Sequence, residues 1–117
     1  MGKLSTHVLD ITSGKPGIGV KLELYAVEEG LKTLLKTDVT NQDGRCNAAL
    51  LEGDTFKAGQ YELVFAAGDY FDAMGLMLPN PKFIDIVILA FGIADVTQNY
   101  HVPLVVSPWA YSTYRGS

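Results

Sequence analysis

Cysteine is almost absent from this chain of 117 residues: Cys46 stands alone and can close no internal disulfide. A lone thiol fits a reducing compartment, and the cytoplasm is the expected location. There is no CxxC pair and no HExxH, and histidine is scarce, with only His7 and His101. Two histidines far apart in sequence make a weak metal site, so neither a metal nor a cofactor is expected. The chain has no Gly-rich phosphate loop and no GxSxG elbow. Positive charge is also in short supply. Nine Lys and Arg against 13 Asp and Glu leave a formal net charge of −4, without the basic stripe that nucleic acid requires. The most apolar run, "FIDIVILAFGIA" from Phe83 to Ala94, contains Asp85 and is too short to cross a bilayer. "MGKLSTHVLD" lacks the apolar core of a signal peptide, so no membrane association is expected.

What the chain does have is apolar residues, 48% of the total, with 19% charged. That is the composition of a globular protein, and the length predicts a single domain over 1–117. Short alternating segments dominate. In "IGVKLELYAV", Val20, Leu22, Leu24 and Ala26 alternate with Lys21, Glu23 and Tyr25, the pattern of a strand with one buried face. "EEG" and "TNQDGR" read as turns, with Asp43-Gly44 tolerating positive φ. "YELVFAA", "NYHVPLVV" and "AYSTYR" supply further strands. "KFIDIVILAF" is apolar on both faces and should be covered on both. One stretch departs from period two: after Asp69 as a candidate N-cap, Phe71, Met74 and Leu78 recur at helical spacing, and Gly75 and Pro79 end the helix. Seven or eight short strands with one short helix predict an all-β antiparallel sandwich.

Few residues could carry chemistry. In the last-but-one strand Tyr100, Val102, Leu104 and Val106 form an apolar face, so His101 lies on the other with Pro103 and Val105. A face turned only to water seldom carries Pro103 and Val105 together, and a second subunit is the simplest cover. His7 shares its face with Ser5, Leu9 and Ile11. On these facts alone, two unrelated half-buried histidines are the default. Arg45 after the Asp43-Gly44 turn is either an ordinary exposed arginine or a planar donor fork for a carbonyl or anion. Cys46 is expected to be a small core residue.

The ends and the middle of the chain together carry a resemblance. "LSTHVLD", "DGR" and "YHVPLVVSPWAYSTYRGS" resemble the transthyretin family, in its enzyme branch that hydrolyses 5-hydroxyisourate, over Leu4 to Ser117. The terminal Tyr-Arg-Gly-Ser is the specific part. The resemblance implies the transthyretin sandwich and a homotetramer built as a dimer of dimers around a channel. It implies a small-molecule substrate, hydrolytic ring opening and no cofactor. It places catalysis on His7, His101 and Ser117, and substrate binding on His7, Arg45, Tyr114 and Arg115. Arg115 either contacts substrate or anchors the tail, and anchoring is the preferred reading. Two departures from the family pattern stand out: Trp109-Ala110 in place of Phe-Gly, and Asn99 where many relatives carry a histidine. The competing expectation is a carrier of the same fold holding a small aromatic ligand in its channel, though such a carrier needs no paired histidines.

Overall fold

The period-two alternation folds into strands of two unequal kinds. The computed structural model describes residues 2–116. Among them the strands run, in chain order, β1 (Lys3–Ser5), β2 (Val8–Asp10), β3 (Lys15–Pro16), β4 (Lys21–Glu28), β5 (Leu31–Val39), β6 (Leu51–Glu52), β7 (Gly59–Ala66), β8 (Ile86–Ile93), β9 (Tyr100–His101), β10 (Leu104–Val106) and β11 (Tyr111–Ser112). One helix, α1 (Ala67–Ala73), separates β7 from β8.

The long strands make one antiparallel sheet in the order β5-β4-β7-β8. Glu29 and Gly30, both at positive φ, turn β4 back onto β5, as "EEG" predicted. The second layer is built from short pieces. β1 and β2 form one run broken at Thr6 and His7, and β9 and β10 form another broken at Val102 and Pro103. These two runs lie side by side and parallel, Leu4 beside Tyr100 and Leu104 beside Val8. Joining each run across its break leaves the expected eight strands plus the two-residue β3. The sandwich is therefore as predicted, and its one departure from antiparallel pairing lies between the two runs that carry the histidines.

The inner faces meet in a single core. Leu4, Val8, Leu104 and Val106 from the short-strand layer pack with Leu22, Leu24, Leu63, Phe65 and Val87 from the long one. Each such side chain, fully buried, contributes about 1.5–3 kcal/mol relative to exposure. α1 closes one end with Phe71 and Tyr70 buried. The Tyr70 hydroxyl donates to the buried Asp10 carboxylate at 2.7 Å, tying the helix to the end of β2. The helix is shorter than its sequence pattern. Asp69 lies within its first turn and Ala66 is the N-cap, while Met74 caps the C-terminus and Gly75 follows at φ +81. An acidic residue in the first turn still suits the positive end of the helix dipole. β8 has its inner face buried, but Ile86 and Ile88 on its outer face are exposed in the single chain. No helix among the described residues is long and apolar enough to cross a membrane.

Candidate functional site

Backbone register brings the predicted residues together. Ser5 pairs with His101 across the parallel runs, and the Ser5 hydroxyl lies 2.8 Å from His101 Nδ1. Alternation puts Ser5, His7 and His101 on the face opposite the core, and all three are half-buried. Two bonds span the break at Thr6 and His7: Val102 N–H donates to Ser5 O at 2.9 Å and Leu104 N–H to His7 O at 2.8 Å. The buried Thr6 hydroxyl donates to Val102 O at 2.7 Å. Pro103, which has no N–H to offer, sits where the second run is interrupted. The His7 and His101 ring centroids are 6.4 Å apart.

Two isolated bridges flank this pair. His7 bridges Arg45, and His101 bridges Gly116. The Asn41–Arg45 turn is clamped from both sides: Asn41 N–H donates to Arg45 O at 2.8 Å, and the Asn41 side-chain oxygen accepts from Asp43 N–H at 2.9 Å and Arg45 N–H at 3.1 Å. Gly44, at φ +75, brings this turn against the first run. A Cβ there would lie 2.5 Å from Val8 O and 3.2 Å from His7 Cδ2. On the far side the tail lies on His101, with Gly116 N–H donating to His101 O at 2.7 Å. A Cβ on Gly116 would come within 3.0 Å of His101 Cδ2.

The tail is held by its other residues. The Thr113 hydroxyl donates to Pro103 O at 2.7 Å. Arg115 Nη2 donates to Gln98 Oε1 at 2.9 Å and Asn99 O at 3.0 Å, and its guanidinium stands 4.2 Å over the Tyr100 ring. Tyr114 is 61% exposed and presents its ring outward. Ser117 lies outside the described residues. Ser5, Asn41, Thr6 and Thr113 are the positioning residues that sequence reasoning missed. Alternation placed Ser5 on the face of His7, but its partner His101 is 96 positions away and reachable only through the fold.

The electrostatics favour neutral imidazoles. Burial is the largest effect pushing the His7 pKa below the ordinary value, and the Arg45 charge pushes the same way. The Asp43 backbone and the Asp43 charge oppose both. His101 is likewise lowered by burial first, then by Arg45 and His7. Cys46 is the reverse of a nucleophile. Burial first, and then Asp38, raise its thiol pKa to about 12, and the side chain packs against the core as expected.

A concavity of about 320 Å³ opens beside the histidines, with Ser5, Thr6 and Arg45 in its lining. A larger one, about 710 Å³, lies on the long-strand sheet between Lys21, Asp38 and Ile86; neither concavity has a histidine in its own lining. Size alone would select the second, but the first adjoins both histidines, because its lining residue Ser5 contacts His101 and its lining residue Arg45 bridges His7. No cluster of metal-ligating side chains occurs among the described residues.

Comparison with known proteins agrees in family and extent. Residues 4–116 match the HIUase/Transthyretin family. The 5-hydroxyisourate hydrolase of Ralstonia nicotianae is 56% identical over 117 residues, covering 100% of both chains. Among solved structures, (S)-allantoin synthase superposes with a TM-score of 0.94 at 41% identity, covering 99% of this chain and 44% of that one. The Klebsiella pneumoniae 5-hydroxyisourate hydrolase superposes with a TM-score of 0.82 at 34% identity, covering 100% of both.

Proposed function

The chain belongs to the HIUase/Transthyretin family, and from that premise we propose that it hydrolyses 5-hydroxyisourate, opening the six-membered ring to an imidazoline that bears a new carboxylate. The observation that carries this reading is the meeting of His7, Arg45, His101 and Gly116 across adjacent backbone segments. A hydrophobic carrier has no use for two imidazoles with lowered pKa beside a guanidinium.

Hydrolysis needs a base for water, a donor for the oxyanion and a proton for the leaving nitrogen. His7 is the base. Burial and the Arg45 charge keep its ring neutral, so one ring nitrogen has a lone pair for the water proton. The water oxygen bonds to the ring carbonyl carbon, and charge collects on the carbonyl oxygen. Arg45 offsets that charge. The neutral His101 adds a donor in the tautomer in which Nδ1 accepts from the Ser5 hydroxyl and the ring proton sits on Nε2. When the C–N bond breaks, the imidazolium of His7 returns its proton to the leaving nitrogen. Ser117 orients the attacking water, Tyr114 packs on the flat heterocycle and Arg115 anchors the tail. The working assembly is a homotetramer, a dimer of dimers. The exposed outer face of β8 and the half-buried Val105 beside His101 support it. A cytoplasmic setting suits the lone, unreactive Cys46.

The test is turnover of freshly generated substrate, followed by ultraviolet decay. His7→Asn and His101→Asn should each lower kcat by about 10²–10⁴-fold, the usual worth of a positioned acid–base group. Near-normal turnover by either variant would remove that residue from the mechanism.

A further inference from the structure

The concavity beside the histidines has a wall with an unusual hydrogen-bonding character. Besides Ser5 and Arg45 it is lined by Lys3, Asn47 and Asn99. Both asparagines have their side-chain oxygens already engaged. Asn99 Oδ1 accepts from Lys3 N–H at 3.0 Å, and Asn47 Oδ1 accepts from Asn41 Nδ2 at 2.9 Å. These contacts fix the orientation of both amides. Each therefore has its NH₂ left over as the group it can offer to the concavity. Lys3 and Arg45 are donors without acceptor capacity. Four of the nine lining residues, Lys3, Arg45, Asn47 and Asn99, thus offer donors to the concavity, on a protein whose formal net charge is −4.

We propose that Asn47 and Asn99 are substrate-binding residues, whose amide NH₂ groups, with Lys3 and Arg45, form a subsite for the carbonyl oxygens of a flat, oxygen-rich heterocycle and for the carboxylate formed from it. This rests on the hydrolase reading for the substrate but on the wall's own geometry for the chemistry. The subsite is continuous with the reacting centre at two points. Ser5 lines it and contacts His101 Nδ1, and Arg45 lines it and bridges His7. A volume of about 320 Å³ is at the lower end of what small-molecule pockets offer, enough for one compact ring system. Such a wall discriminates by oxygen placement: an analogue with a ring N–H where the substrate has a carbonyl would leave donor facing donor. The departure at position 99, asparagine for histidine, then serves recognition and not proton transfer.

Asn47→Asp and Asn99→Asp test this cleanly. Each keeps the oxygen that accepts the structural hydrogen bond and replaces only the NH₂. Melting temperatures should match the wild type. KM for 5-hydroxyisourate should rise about tenfold in each variant, with kcat changed much less. The rise should persist in about 0.5 M salt, where repulsion by the new carboxylate is largely screened. An unchanged KM, or a rise that vanishes in salt, would overturn the subsite while leaving the hydrolase intact. If the wild-type protein does not accelerate substrate decay, the hydrolase reading fails by itself. Titration with urate as the probe then decides the subsite: weaker binding by the variants sustains it, and equal binding or none by the wild type overturns it.

Discussion

At the scale of the residue, the site depends on keeping two imidazoles uncharged next to a guanidinium. Burial and the Arg45 charge both oppose the imidazolium at His7 and His101. A base with a lowered pKa stays competent into mildly acidic solution, so the acidic limb of kcat/KM should fall below the ordinary imidazole value of about 6.5. Arg45→Gln removes one of the lowering influences on each ring. Its residual activity should show an acidic limb displaced to higher pH than that of the wild type. A limb that stays in place, measured in parallel from pH 5 to 8, would show that burial alone sets the titration. Little of this was legible beforehand. The histidines and Arg45 could be singled out by type and by resemblance. That Ser5 holds His101, and that Asn41 holds the Arg45 turn, depends on contacts that no local pattern encodes.

At the scale of the element, short irregular segments do what the long strands cannot. β4 and β7 are legible from apolar–polar alternation, β5 from the turn that precedes it, and β8 from a run that is apolar on both faces. The second layer was less so. Its runs are broken at Thr6–His7 and Val102–Pro103, and their parallel pairing is a long-range fact. Those breaks lie where the site is. The helix pattern was read as longer than α1 because Met74 and Leu78 continue its spacing, whereas Gly75 at φ +81 ends the helix first. Gly116 illustrates the demand on the tail. Its Cα lies so close to the His101 ring that a methyl group would meet Cδ2 at 3.0 Å and Cβ at 3.1 Å. Gly116→Ala should therefore push the tail off His101. A shift of a few tenths of an ångström relieves these contacts, so activity should drop by about tenfold, less than the roughly 10²-fold that a full ångström of misplacement costs. The urea midpoint should barely move, because the tail contributes little to the core.

At the scale of the whole molecule, the single chain leaves large apolar side chains exposed on one face. Ile86 is 55% exposed and Ile88 46% exposed on the outer face of β8, a run whose two apolar faces the sequence had marked for burial. Phe83 and Trp109 stack at 6.1 Å with both rings largely exposed. Isolated exposed apolar residues are ordinary, whereas grouped ones fit the proposed tetramer interface. The proposed tetramer would cover them and enclose the site, so that water enters only as reactant. The most direct measurement compares ultraviolet decay of fresh 5-hydroxyisourate with the full chain and with a variant lacking Tyr114 to Ser117, the mass of each checked by light scattering. The account predicts rapid decay with the full-length tetramer and decay near the spontaneous rate with a truncated protein that is still a tetramer. Spontaneous-rate decay with a well-folded full-length tetramer would contradict it.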